Sequence, residues 1–241
     1  MLGLPEHVRA CLFDLDGVLT NTAAVHAAAW KATFDELLPA DRPFDIHREY
    51  EAYVDGRTRA DGVRTFLASR GITLPDGTPA DSPTAQTVNG VGNRKNALLL
   101  KQLDEHGVEV FDGSVAYVRQ ARERGLRTAV VSASANTAQV LAAAGIADLF
   151  DVRIDGRTAV ERGLRGKPAP DTFLAGAEAL GLGPDQAAVF EDALAGVAAG
   201  RAGHFAHVVG VDRVGGDHGA KLLESGADVV VKDLSELLEA R

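Results

Sequence analysis

Five short apolar runs, Ala10–Phe13, Thr128–Val131, Ala187–Phe190, His207–Val211 and Val229–Val231, limit what this chain can fold into more than any other feature. They are too short for helices, and their β-branched and aromatic residues favour extended backbone. Around the last four, helical segments are read at Val115–Arg124, Thr137–Ala144, Asp171–Leu180 and Ala193–Ala202, with a further helix after Val231. Apolar strands alternating with helices predict an α/β fold, in which a parallel sheet is buried on both faces in a Rossmann-like three-layer α/β/α arrangement. The first run stands apart. It is followed by helical segments at Ala23–Leu38, Ile46–Val54, Arg59–Ser69 and Arg94–His106, and by an exposed loop over Thr73–Gly90 rich in Pro, Gly, Asp, Ser and Thr. No strand is evident in that block, so it reads as a helical insert after the first strand of the sheet.

The first run ends in Asp14-Leu15-Asp16-Gly17. In extended backbone, residues i and i+2 point the same way, so both carboxylates can address one site, and Gly17 permits the sharp turn that follows. Two acids side by side repel each other. A bound cation, or a proton held by one of them, relieves the repulsion, which suggests a metal-assisted site with separate nucleophile and acid/base roles. The alternative is a solvated Asp-x-Asp-Gly turn or half of a calcium loop, but Val18-Leu19 follows where more oxygen ligands would be needed.

Ligand sites in open α/β sheets lie at the carboxyl ends of the strands, and polar residues gather at or near those ends elsewhere in the chain. Ser132-Ala133-Ser134 follows Val130-Val131 and offers a hydroxyl and amides to an oxyanion, or else caps the next helix. Glu191-Asp192 follows Val189-Phe190 and either completes a cation site with Asp14 or caps a helix N-terminus. Lys167, in Gly166-Lys167-Pro168-Ala169-Pro170-Asp171, either balances carboxylates or phosphate or stands in solvent.

A net charge of −9 over 241 residues argues against a nucleic-acid partner, while leaving room for a local basic pocket that takes a phosphorylated metabolite. The single cysteine, Cys11, cannot form an internal disulfide and reads as a packed residue. The N-terminus lacks the basic start and unbroken apolar core of a signal peptide, and no later run is long enough to span a bilayer. The expectation is a cytoplasmic monomer with a small-molecule partner and neither a nucleic-acid nor a membrane partner.

Taken together, Asp14-x-Asp16, Ser132, Lys167 and Glu191-Asp192, in this order on successive sheet elements, resemble the four motifs of the haloacid-dehalogenase-like (HAD) phosphotransferases. The helical insert matches the mobile cap of that superfamily. Within it, Phe13–His26 with Trp30-Lys31, Asn93-Arg94-Lys95-Asn96 and Gly166–Asp171 resemble the β-phosphoglucomutase family, and the resemblance covers essentially the whole chain. It implies a catalytic core of residues 1–21 and 105–241 and a helical cap of residues 22–104. It further implies that Asp14 is the nucleophile that forms an aspartyl phosphate and that Asp16 is the general acid/base. Mg²⁺ would be held by Asp14, the Asp16 backbone carbonyl and Asp192, with Glu191 orienting a metal-bound water, and Ser132, Ala133 and Lys167 would contact the transferring phosphoryl group.

Arg59, Ser134 and Asn136 match the residues around the non-reacting phosphate of a bisphosphorylated intermediate. Thr22, His26 and Lys95 match the hinge and cap-base set that couples substrate binding to the position of Asp16. The implied reaction interconverts β-D-glucose 1-phosphate and glucose 6-phosphate through a 1,6-bisphosphate. A Mg-dependent sugar-phosphate phosphatase using the same residues is the alternative. A non-catalytic sugar-phosphate binding protein is a second, against which the retention of both Asp14 and Asp16 speaks. The chain departs from the family at Ala135 and at Asp55, where relatives carry lysines, and at Ala193, where they carry a serine; Arg57 lies near Asp55.

Overall fold

The computed structural model describes residues 2–239, and Met1, Ala240 and Arg241 lie outside the described residues. Six strands form one parallel sheet: β1 (Ala10–Phe13), β2 (Arg127–Val131), β3 (Val152–Ile154), β4 (Ala187–Glu191), β5 (His207–Val211) and β6 (Val229–Val231). Their order is β3-β2-β1-β4-β5-β6, so β1 lies between β2 and β4, with Phe13 level with Val130 and Phe190. The chain order reverses direction beside β1, and it is there that open α/β sheets leave a crevice for ligands.

Side chains of successive strand residues alternate between two cores, as a period of two requires. Cys11, Phe13, Val130 and Phe190 pack with Val115, Tyr117 and Val118 on one face, whereas Ala10, Leu12, Val131 and Val189 pack with Phe173, Val197 and Leu222 on the other. The first face is covered by α5 (Asp112–Glu123), α6 (Thr137–Ala143) and α11 (Glu236–Glu239). The second is covered by α8 (Asp171–Ala179), α9 (Leu194–Ala202) and α10 (His218–Ser225). This is the expected three-layer α/β/α core.

The short strand β3 and the helices α7 (Gly156–Arg162) and α10 were not expected. β3 is a three-residue edge strand with exposed Arg153 at its centre, so it carries no apolar run. α7 is announced only by its cap, for the Asp155 carboxylate accepts from the amides of Arg157 and Thr158.

Between β1 and α5 lie α1 (Ala23–Asp35), α2 (Arg48–Tyr53), α3 (Arg59–Ser69) and α4 (Val88–His106). They close around their own cluster of Trp30, Phe34, Phe44, Val63, Phe66 and Val91, in which the Phe34 and Phe66 rings stand 4.2 Å apart. α4 starts at Val88 rather than at Arg94, inside the stretch expected as loop. Thr87 caps it by accepting from the Gly90 amide at 2.9 Å, and a side chain at Gly92 would sit 3.0 Å from Arg59 Cδ. Close packing here outweighs the low helix propensity of Asn89, Gly90, Gly92 and Asn93.

The insert joins the core through two paired crossings. Thr20 bridges Val110 in antiparallel fashion, the Asn21 amide donates to Glu109 O at 2.9 Å, and the Phe111 amide donates to Leu19 O at 3.0 Å.

Candidate active site

The carboxyl ends of β1, β2 and β4 converge on one buried ionic cluster. Asp14 leaves β1 with its amide donating to Phe190 O at 2.9 Å, which fixes it beside the end of β4. Lys167 donates to Asp14 Oδ1 at 2.5 Å, to Val131 O at 3.1 Å and to Glu191 Oε1, so all three ammonium hydrogens are engaged. The second oxygen of Glu191 accepts from the Ala193 amide at 3.0 Å. Burial opposes the charge on Lys167, but Asp14 and Glu191 outweigh it and hold the ammonium above the usual lysine range. Burial likewise pushes Asp14 up, with Lys167 pulling against it. The lysine engages only one oxygen of Asp14, leaving the other for chemistry.

Asp16 sits one turn of chain away, on the loop shaped by Gly17. With a φ of 88° Gly17 is in the left-handed region, and any side chain on it would run into the Asp192 carboxylate. Thr22 Oγ1 donates to Asp16 Oδ1, and His26 Nε2 stands 3.5 Å from the same oxygen. On its other side His26 Nδ1 meets Lys95 Nζ at 3.0 Å, and that ammonium lies 5.2 Å from the centre of the Trp30 ring. Burial lowers Lys95 to about 7, and burial with the neighbouring Lys95 charge holds His26 well below the usual imidazole range. When Lys95 donates to Nδ1, the neutral ring carries its proton on Nε2, facing Asp16. Asp16 is thus held directly by Thr22 and faced at 3.5 Å by His26, which Lys95 holds from behind.

The loop after β2 is ordered by its own hydroxyls. Ser132 Oγ accepts from the Ser134 amide at 3.1 Å, and Ser134 Oγ accepts from the Asn136 amide at 3.2 Å. Asn136 Nδ2 donates across the cleft to Asn96 Oδ1 at 2.8 Å, so the core touches α4 directly. Arg59, at the start of α3, donates to Asn93 Oδ1 at 3.2 Å. Asp14, Asp16, His26, Arg59, Lys95, Ser132, Ala133, Ser134, Asn136, Lys167 and Asp192 all line a single cleft of about 1160 Å³ between the sheet edge and the insert. Two expected site residues lie off its wall. Glu191 sits behind it as the partner of Lys167, and Thr22 sits in the neck of the insert.

Four carboxylates face one another around Asp14 with Lys167 as their cation. Asp192 lies well above the usual carboxylate range because it is buried beside Asp55, Glu191 and Asp14. Asp55 is pushed up by burial and by Glu191. Among the described residues no three His, Cys, Asp or Glu side chains make a ready metal cage. Two carboxylates and a main-chain oxygen on the Asp14–Asp16 turn and Asp192, with the remaining positions left to water and phosphate, nevertheless suit a hard divalent cation. The uncompensated negative charge and the close seat of Asp192 on Gly17 fit such an ion.

The sequence pattern of the haloacid dehalogenase-like hydrolase family matches residues 8–204. The chain belongs to this family. A β-phosphoglucomutase of Mycobacterium tuberculosis is 57% identical over 247 residues, covering 99% of this chain and 94% of that protein. One of Bacillus subtilis is 31% identical, covering 95% of this chain and 92% of its own. A crystal structure of a β-phosphoglucomutase from Clostridium difficile superposes with a TM-score of 0.77 at 25% identity, covering 95% of this chain and 93% of that one.

This haloacid dehalogenase-like chain also brings to the site residues that sequence reasoning did not single out. His218 of α10 is buried, with Nε2 at 2.9 Å from Asp192 O and Nδ1 at 3.0 Å from Glu51 of α2. Glu51 also accepts from Lys221 at 2.8 Å, so α2 is latched to α10 beside the acidic loop. The Tyr50 hydroxyl neighbours Asp55, and Arg157 of α7 lines the cleft. Only the cap motif at Asp155 pointed toward α7, and nothing local marked Glu51 or His218.

Proposed function

We propose that this chain is a phosphosugar mutase interconverting β-D-glucose 1-phosphate and glucose 6-phosphate through an aspartyl phosphate and a 1,6-bisphosphate. The observation that carries the reading is the approach of the insert to Asp16, by Thr22 through a hydrogen bond and by the Lys95-bound His26 at 3.5 Å. It makes the acid/base carboxylate depend on the insert, as a transferase that must favour a sugar hydroxyl over water requires. Residues 22–104 act as the cap and residues 1–21 and 105–241 as the core. The high identity to enzymes named β-phosphoglucomutase supports a phosphotransferase of this kind.

In the first half-reaction the free oxygen of Asp14 attacks phosphorus, forming an acyl phosphate as the bond to the sugar oxygen breaks. That oxygen takes a proton from Asp16. In the second, Asp16 accepts the proton of the incoming hydroxyl while that oxygen displaces Asp14. Raising Asp16 above the usual carboxylate range by burial keeps a proton available to it, and Thr22 aims the carboxyl. Ser132, the Ala133 amide and Lys167 steady the charge spread over the transferring group. Mg²⁺ would be held by Asp14, Asp192 and the Asp16 carbonyl; Glu191, fully buried with its oxygens on Lys167 and the Ala193 amide, positions Lys167 instead of a metal-bound water. When bound the ion supplies charge neutralisation between an anionic nucleophile and an anionic phosphate.

Purified protein with Mg²⁺, β-glucose 1-phosphate and a trace of glucose 1,6-bisphosphate tests the reading. Glucose 6-phosphate is the expected product, and chelation should abolish its formation. Free phosphate as the main product would move the chain to the phosphatases, and no product would leave a binding protein.

A further inference from the structure

The loop after Ser134 lacks a cation, because residue 135 is alanine. The structure places another one beside it. α7 starts hard against this loop, with the Gly156 amide donating to Ser134 O at 3.0 Å and a side chain at Gly156 meeting Ala133 O at 2.7 Å. The next residue, Arg157, is exposed and donates from Nε to Ala135 O at 3.2 Å, which leaves the remaining guanidinium N–H groups over the cleft. Arg59 reaches the same region from α3. It is close enough that the Arg157 charge pulls its guanidinium below the usual arginine range, in addition to the effect of burial.

Two of the other arginines that line the cleft differ from these two, while Arg57, on the turn before α3, is likewise without a carboxylate partner among the described residues. Arg64 is paired with Asp61 and Asp76, and Arg165 with Asp171. Among the described residues neither Arg59 nor Arg157 has a carboxylate within ion-pair distance. Two like charges, one on the core and one on the insert, therefore converge without a counter-ion. Such an arrangement is unfavourable unless an anion bridges it, and guanidinium groups bind phosphate by paired N–H contacts.

We propose that Arg157 is a substrate-binding residue that, with Arg59, clamps the non-transferring phosphate from the two sides of the cleft. This rests on the mutase reading and deepens it. The clamp spans core and insert, so a ligand carrying phosphate at both ends ties the two together, and a ligand with phosphate only at Asp14 does not. Arg157 thereby selects doubly phosphorylated sugars.

The test compares Arg157→Ala, Arg157→Lys, Arg59→Ala and the double variant, with thermal melts to confirm folding. Glucose 1,6-bisphosphate binding is measured by calorimetry on the Asp14→Asn background, and acetyl phosphate hydrolysis is measured on the active chain. Arg157→Ala is expected to weaken bisphosphate binding by about ten- to a hundredfold, the effect of losing a charge-assisted contact, and to affect acetyl phosphate kcat/KM at least tenfold less. Arg157→Lys should recover part of the loss. The double variant should lose less than the product of the single losses, because both residues hold one phosphate. Unchanged bisphosphate affinity in Arg157→Ala would overturn the proposal, as would equal losses on both probes, which would make Arg157 a support for the Ser134 loop. A wild-type chain that hydrolyses but does not isomerise β-glucose 1-phosphate would overturn the mutase reading instead, and the binding measurement would still judge Arg157.

Discussion

The two ends of the cleft are built on opposite electrostatic plans. At the reacting end every ionised partner of Lys167 comes from the core, and each of its hydrogens already has an acceptor. At the far end Arg59 and Arg157 meet with only amide and carbonyl oxygens for company. The near end is preorganised by folding, so its geometry costs nothing at the moment of reaction. On the proposed reading the far end is left for the ligand to complete, so the binding free energy of a distal phosphate would become available to hold the insert against the core. On that reading chemistry would be carried by the core, and the choice between sugar and water by the insert.

The sharpest way to break this contrast is to remove the nucleophile. Asp14→Asn keeps the shape of the carboxylate but cannot form the acyl phosphate, and turnover should fall to background in a deamidation-free preparation while the melting profile stays cooperative. Measurable isomerisation would place the nucleophile elsewhere. Next in size is Asp16→Asn, expected to slow transfer by about 10²–10⁴ through loss of acid/base catalysis. Metal binding should survive far better than in Asp192→Ala, because on the proposed reading Asp16 would serve the ion through its main chain. Parallel titrations of the two variants separate the roles.

A smaller effect belongs to the far end. Arg59→Ala should cost mutase turnover about ten- to a hundredfold, and hydrolysis of acetyl phosphate, which is too short to reach α3, much less. Equal losses would erase the distinction between the two ends.

The smallest effect concerns stability rather than rate. Burial lowers Lys95 from 10.5 to about 7, so between these values the unfolded chain holds a proton that the folded chain has released. Stability linked to this group therefore rises with pH across that window, is complete above the unfolded value, and is lost as pH falls through about 7. Urea unfolding of wild type and Lys95→Met across the window should show a shallower rise in the variant. An identical slope would mean that Lys95 is not buried in its charged-disfavouring site.

Much of the near end was legible in the sequence because its residues stand where strands stop. An apolar run followed by Asp14-x-Asp16-Gly17 carries its own geometry, and β5 and β6 end where their valine runs end. Lys167 was legible as a cation in a rigid segment, although its burial between Asp14 and Glu191 is a product of the finished sheet. What stayed hidden depends on docking between segments far apart in the chain. Arg157 follows a strand with an arginine at its centre, and Asp55, Glu51 and His218 gain meaning only when α2 lies on α10. Helix α4 shows the same limit in local form. Its first turns are written in Asn and Gly, and the contacts that make them helical come from Ala85 and Arg59.

The neck between insert and core has a mechanical meaning of its own. Leu19–Asn21 and Glu109–Phe111 are stitched to each other, so twisting or sliding one crossing drags the other, and bending is left as the soft coordinate. A swing of the helices about this neck, like a door about its pin, would also have to part Glu51 from His218 and Lys221, and Asn96 from Asn136. Thr22 rides on the moving leaf just past that pin, while Asp16, which it grips, stays on the frame. On the proposed reading, opening the leaf would draw Thr22 from the acid/base carboxyl in the same stroke that parts Arg59 from Arg157, leaving an unlatched site at once empty-handed and disarmed.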